Sequence, residues 1–144
     1  AYRNFGNKLW NMARFFLMMQ EKSGITNLKF SNSQMEGLTE RDNEILKMLN
    51  ETIISVDKLL GEFRFAEAGD TIYHFMWDEV AAKYLEEVKT REDLGVALSV
   101  LRHVILTGLK LLHPFMPFVT EAIWKEMPKE NEEMLIVSRW PEVK

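Results

Sequence analysis

One stretch near the start of the chain carries residue types that can hold a charged, planar ligand. Placing residues 2–22 at about 100° intervals, as an α-helix does, splits them into two arcs. One arc runs, in angular order, through Arg3, Arg14, Asn7, Met18, Asn11, Asn4, Phe15 and Lys8. Guanidinium and ammonium groups neutralise phosphates, amides hydrogen-bond base edges, and an open aromatic ring stacks on an unpaired base. Arg3, Asn7, Lys8, Asn11, Arg14 and Phe15 are therefore the candidate nucleic-acid contacts. Phe15 admits two placements: exposed among its polar neighbours, or packed beneath residues 24–38. The opposite arc, Met12, Phe5, Phe16, Leu9, Tyr2, Ala13, Leu17 and Trp10, is the face that must be buried.

Other chemistry is poorly represented. There is no Cys, so thiolate metal sites, cysteine nucleophiles and disulfides are excluded. His74, His103 and His113 are not spaced to share a helical face, and no H-E-x-x-H or E-x-x-H occurs. Glycine-rich phosphate loops and a G-x-S-x-G elbow are missing as well. Asp78-Glu79 and Glu86-Glu87 are neighbours in sequence, so on a helix they diverge into solvent. The expectation is no catalytic residue, no metal site and no cofactor within this stretch of chain.

The charge distribution favours the same segment. The 144 residues carry a net charge of −4, which argues against a general polyanion binder. Residues 1–29 nevertheless hold Arg3, Lys8, Arg14, Lys22 and Lys29 against Glu21, a local +4, and the remainder carries −8. A local basic surface on an acidic body is compatible with a nucleic-acid contact and equally with a chance distribution of charge.

The elements that must position this face are helical. Apolar residues make up 47% of the chain and charged residues 28%, as in a folded domain, and seven Gly and four Pro leave little material for the turns of a sheet protein. The spacing predicts a first helix over residues 2–22 with Gly24 as its stop, then a loop over 24–38 with Asn27, Ser31, Asn32 and Ser33 as turn formers. A second helix opens at Thr39, with Asp42 three residues on as a cap partner, and ends near Gly61. Its apolar stripe is Ile45, Leu46, Leu49, Ile53, Val56 and Leu60. A third helix covers 65–89 and a fourth 92–112, closed by His113-Pro114. A fifth starts at Pro117 and runs through Met127. Leu135, Ile136 and Val137 predict a short extended tail ending at Trp140-Pro141. The whole of residues 1–144 reads as one all-α bundle of about five helices. Residues 94–112 are long and apolar enough to suggest a membrane span. Arg102, His103 and Lys110 interrupt them, so the expectation is the central helix of the bundle and no membrane partner. Residues 1–20 contain no uninterrupted apolar run of the signal-peptide kind. The first residue is Ala1, already inside an amphipathic pattern, which suggests a piece of a longer chain.

Asn4-Phe5-Gly6-Asn7-Lys8-Leu9-Trp10-Asn11-Met12-Ala13-Arg14-Phe15 resembles the R-N-F-x-N-K-[LI]-W-N-[AM]-x-R-F run that opens the anticodon-binding domain of valyl-tRNA synthetases. Tyr73-His74-Phe75-Met76-Trp77-Asp78-Glu79, with Tyr84-Leu85-Glu86, is similar to that family's Y-x-F-x-W-x-E-F-C-D-W-Y-[IL]-E segment. The run from Leu109 through His113-Pro114-Phe115-Met116-Pro117-Phe118 to Trp124 resembles its L-[KR]-L-L-H-P-x-M-P-F-[IV]-T-E-E-[IL]-W segment, which class Ia synthetases share. Ser138-Arg139-Trp140-Pro141 matches an S-x-W-P ending. Val80-Ala81-Ala82-Lys83 departs from the usual F-C-D-W or F-[AC]-D-K, losing a bulky ring and a carboxylate. The catalytic HIGH and KMSKS signatures do not occur, nor do the editing domain and the C-terminal coiled coil.

The resemblance implies a cytoplasmic class Ia ligase that joins valine to its tRNA using ATP and Mg²⁺ in a catalytic domain. This stretch would be non-catalytic, its partners the anticodon stem and loop and the remainder of its own synthetase chain. Arg3, Lys8 and Arg14 would contact phosphates, Asn7 or Asn11 a base edge, and Phe15 would stack on a base. The alternatives are the same domain of an isoleucyl- or leucyl-tRNA synthetase, or a helical protein-interaction module. The last predicts an apolar patch without surrounding cations.

Overall fold

The computed structural model describes residues 2–26, 28, 30, 36–129 and 133–143; the side chains of Tyr2 and Arg3 lie outside that description. The turn formers expected at Asn27 and at Ser31, Asn32 and Ser33 also fall outside it. Helix α1 is Tyr2–Ser23, α2 Glu40–Gly61, α3 Phe65–His74, α4 Leu85–Val88, α5 Leu94–Leu112 and α6 Pro117–Glu126. There is no strand among the described residues, as an all-α bundle requires.

The helix boundaries follow from local chemistry. Gly24 adopts φ +71°, a left-handed conformation that glycine enters without a Cβ penalty, and its N–H bonds the Gln20 carbonyl at 3.1 Å to close α1. Thr39 caps α2 reciprocally: its hydroxyl accepts from the Asp42 N–H at 3.1 Å, and the Asp42 carboxylate accepts from the Thr39 N–H at 3.0 Å. Pro117 opens α6, where its missing N–H costs no helical bond.

The predicted third helix is one rod with an unexpected interior. Phe75–Tyr84 is wound as π-helix between α3 and α4. This wider winding covers the Val80-Ala81-Ala82-Lys83 stretch that departs from the family pattern. The rod lies close against α5. A Cβ at Gly108 would stand 2.5 Å from Met76 Sδ, so the bare glycine makes room for the Met76 side chain between the two helices.

Helix α5 is the centre of the bundle, as its apolar sequence predicts. Thirteen of its 19 residues are buried, among them Leu98, Leu101, Val104, Ile105, Leu109 and Leu112. It is long and apolar enough by composition to cross a membrane, yet 67% of that window is buried inside the protein. Its one buried cation is satisfied: Arg102 Nη2 donates to the Leu28 carbonyl at 2.6 Å. Phe30 stacks on His103 with ring centroids 3.9 Å apart, so the 24–38 loop is pinned on α5 at two points.

The tail corrects one expectation. Leu135–Val137 forms a 3₁₀ turn between extended residues Met134 and Ser138. An isolated extended segment has no neighbouring strand for its N–H groups. Here the Glu121 carboxylate accepts from the Leu135 N–H at 2.9 Å and the Ile136 N–H at 3.3 Å, and Ser138 Oγ donates to the Leu135 carbonyl at 2.8 Å. Only Leu135 of the three apolar residues is buried.

Candidate nucleic-acid interface

Helix α1 divides as its angular pattern requires. Phe5, Leu9, Met12, Ala13 and Phe16 are buried, with Trp10 and Leu17 at the margins of the core. Asn4, Asn7, Asn11, Arg14 and Met18 are exposed on the other side, and Lys8 and Phe15 are half-buried at its edge. Five of the six candidate residues, Asn7, Lys8, Asn11, Arg14 and Phe15, thus lie on one face; the Arg3 side chain is outside the described set.

The rod packs beside α1 and runs in the same direction. Phe5 meets Tyr73 edge-on at 4.7 Å between centroids, Lys8 Nζ lies 5.3 Å from the Trp77 ring centre, and Lys89 Nζ lies 5.3 Å from that of Phe15. Trp77 in turn stacks on Tyr73 at 5.6 Å, one helical turn away. On the far edge of the face, the Arg14 guanidinium sits 5.4 Å from the Trp10 ring. A stripe of three asparagine amides is therefore bordered on both sides by a cation resting on an indole. Contacts of this kind contribute about 0.5–1 kcal/mol at exposed sites and limit where the long cationic side chains wander.

Phe15 is half-buried. It packs partly against the core, and the Lys89 ammonium lies over its ring while pairing with Glu86 at 2.7 Å. Any base stacking on that ring must take the place Lys89 occupies.

Three members of this surface escaped the sequence reading. Trp10 was assigned to the buried arc, although its i,i+4 spacing to Arg14 already permits the contact. Trp77 and Lys89 come from the rod, and no local periodicity connects them to residues 8 and 15. The histidines have structural partners: His74 Nδ1 lies 3.2 Å from Asp78, His113 Nδ1 3.0 Å from Thr120 Oγ1, and His103 stacks on Phe30. Among the described residues, no group of three or more His, Asp or Glu side chains is arranged to hold a metal ion.

The strongest electrostatic cluster lies elsewhere, at the start of α2. Asp42 is fully buried; it accepts from Tyr84 Oη at 2.7 Å and from two Arg91 nitrogens at 2.6 and 3.0 Å. Arg91 is shared with Asp93 at 2.7 Å. Burial works to raise the Asp42 pKa, but the bonds from Arg91, Tyr84 and the Thr39 N–H outweigh it and hold the carboxyl below its ordinary value. Burial and the adjacent carboxylate push the Tyr84 phenol upward. Every oxygen of Asp42 is occupied by its own chain, so this cluster is a structural lock.

The bundle thus presents one helix face of cations and amides, groups able to pair with phosphates and base edges. Residues 42–144 match the family described as the anticodon-binding domain of tRNA ligase. The chain belongs to that family. Over its length it is similar to valine–tRNA ligases: 41% identical over 147 residues to that of Listeria innocua, with 97% of this chain covered. It is 40% identical over 147 residues to that of Geobacillus kaustophilus, and 38% over 146 to that of Fervidobacterium nodosum, with 98% and 99% covered. In each case the chain spans 16% of the relative's length. The family match begins at Asp42, so α1 is aligned only through these longer relatives.

Proposed function

We propose that this chain is the part of a valine–tRNA ligase that holds the anticodon stem and loop, with the exposed face of α1 as the reading surface. The observation that carries the proposal is the asparagine stripe Asn4, Asn7 and Asn11 between the Lys8–Trp77 and Arg14–Trp10 pairs. The cations set the register on phosphates, while amides and rings meet the unstacked bases of a loop. Arg3, Lys8 and Arg14 take the phosphate role, Asn7 and Asn11 the base edge, and Phe15 a stacking role that Lys89 regulates by covering the ring. Cations around the aromatic groups favour this reading over a protein-interaction module. Similarity to valine–tRNA ligases favours valine over isoleucine or leucine.

In this reading the chain contributes binding and no chemistry. Valine activation, with ATP and Mg²⁺, belongs to the catalytic portion of a longer ligase acting in the cytoplasm. The chain's residues need only fix the anticodon end of the tRNA relative to that portion.

The test is binding of a valine-tRNA transcript and its anticodon hairpin, measured by fluorescence titration at several salt concentrations. Arg14→Ala should weaken every tRNA alike and lower the salt slope by roughly one phosphate contact, about 0.7 on a single strand. Phe15→Leu preserves apolar packing but removes the aromatic face; it should cost about 1–3 kcal/mol of binding and leave the salt slope unchanged. Unaltered binding by Phe15→Leu would remove the stacking role. Unaltered binding by both variants would remove α1 from the interface.

A further inference from the structure

The ring of Phe15 is covered by a side chain from another element. Lys89, in the turn that ends the rod, holds its ammonium 5.3 Å from the ring centre and pairs with Glu86 at 2.7 Å. The Lys89 and Glu86 side chains are themselves about half exposed, at 45% and 58%. A cation over a ring and an ion pair are each weak at such exposure, because water and salt compete for both charges. The Lys89 side chain is therefore held lightly.

The backbone that carries it is held firmly. Tyr84 Oη donates to Asp42 at 2.7 Å on one side of Lys89, and two Arg91 nitrogens donate to the same carboxylate at 2.6 and 3.0 Å on the other. Arg41 Nε donates to Glu87 at 2.6 Å, and Val88 is fully buried. Residues 84–91 are thus anchored to α2 and the core on both sides of position 89. The part that can swing is the flexible four-carbon stem of Lys89.

A fixed anchor under a mobile cation makes a cover that can be lifted. A base that stacks on Phe15 takes the space over the ring, and the ammonium must then find another acceptor. The nucleotide brings one with it. Its backbone phosphate offers charge-assisted hydrogen bonds and releases counterions when neutralised, which exceeds what an exposed carboxylate such as Glu86 supplies. Lys8 and Arg14 are placed differently. They rest on Trp77 and Trp10, so neither has to leave for a base to reach Phe15.

We propose that Lys89 is a transferable cover: it shields Phe15 in the empty site and passes to a phosphate of the RNA when a base stacks there. Stacking on the ring and neutralisation of one phosphate then occur together. The inference rests on the anticodon reading above and names how that surface is regulated. Glu86 is a positioning residue, which holds the ammonium over the ring until RNA arrives.

The test is a nuclear magnetic resonance titration of the 144-residue chain with the anticodon hairpin of a valine tRNA, with affinities from fluorescence. In the free chain the Lys89 methylene protons next to the ammonium feel the Phe15 ring current and shift upfield; Phe15→Leu assigns the shift by abolishing it. The hairpin should abolish it in the wild type. Inorganic phosphate alone should not, since nothing then takes the place over the ring. Lys89→Gln should weaken hairpin binding several-fold and lower the salt slope by about 0.7, one single-strand phosphate contact. Glu86→Gln should tighten binding by up to about fivefold, the range of an exposed ion pair. Hairpins with one loop phosphate at a time replaced by a neutral methylphosphonate locate the acceptor. One such replacement should cost the wild type as much as Lys89→Gln does, and cost the variant nothing further.

A ring-current shift that survives hairpin binding would overturn the proposal. So would tighter binding by Lys89→Gln with an unchanged slope, which would make the side chain a simple obstruction. Loss of the shift in inorganic phosphate alone would overturn it too, since Lys89 would then be a general anion contact. Weaker binding by Phe15→Leu with no effect of Lys89→Gln removes the cover and leaves the stacking reading intact. Unaltered binding by Phe15→Leu removes the stacking reading itself.

Discussion

The two ends of this bundle handle exposed groups in opposite ways. Where α2 begins and the rod gives way to α5, a fully buried carboxylate is surrounded by a capping N–H, a phenol and a bidentate guanidinium. At the other end of α2, Phe63 and Phe65 stand in solvent as an edge-on pair 6.2 Å apart. The first end is self-sufficient: each polar atom taken out of water finds a partner in the same chain. The second leaves apolar side chains in solvent. The stability of the fold should therefore depend very unevenly on position.

The largest effect is expected from Asp42→Ala. It removes the carboxylate half of the α2 cap, the acceptor of the Tyr84 hydroxyl and the buried partner of Arg91, which keeps only Asp93, a loss of about 3–5 kcal/mol in urea unfolding. A cost under about 1 kcal/mol would mean that the polar end is not a lock. Leu101→Ala or Ile105→Ala, in the core that joins the two ends, should cost about 2–5 kcal/mol in the same measurement.

Acid should act through the polar end. The folded-state pKa of Asp42 is lower than its ordinary value, so its contribution is complete above the normal carboxylate range and is lost as pH falls through the folded pKa. Wild-type stability should therefore decline on acidification below about pH 4, the ordinary Asp range. Asp42→Ala should show a shallower decline over the same window. Parallel curves for the two proteins would assign the acid sensitivity to other carboxylates.

The smallest effect is expected at the apolar end, and with the reverse sign. Phe63→Gly relieves a left-handed conformation that costs an L-residue about 1–2 kcal/mol, while the exposed ring contributes little packing. The variant should be more stable in thermal unfolding by up to about 1 kcal/mol. Destabilisation instead would show that the Phe63–Phe65 pair holds the corner together, and the contrast between the ends would weaken.

Much of this architecture is legible from short-range pattern. The buried set Phe5, Leu9, Met12, Ala13 and Phe16 recurs every three or four residues, so the periodicity of the helix alone identifies it. Thr39 and Asp42 are three residues apart, and their reciprocal cap needs nothing from the rest of the chain. Gly24, Pro114 and Pro117 mark ends because of their own backbone preferences.

What the pattern leaves open is every feature made by residues far apart in sequence. The same Asp42 that is readable as a cap also meets Tyr84 and Arg91, 42 and 49 positions away. Lys8 and Phe15 are visible as a polar edge, but Trp77 and Lys89 join them only because the rod lies alongside α1. The π winding of Phe75–Tyr84 falls in residues whose propensity suits an ordinary helix, and it lies where Met76 meets the bare backbone of Gly108. Leu135, Ile136 and Val137 favour an extended chain by composition; with no strand to pair with, their N–H groups turn to Glu121 and the backbone coils. Helix positions, caps and the polar face of α1 were determined by the sequence itself, because they depend on neighbours within one or two turns. The lock at Asp42, the borders of that face and the bare apolar end were decided by tertiary packing, which alone brings distant side chains within hydrogen-bonding and van der Waals range.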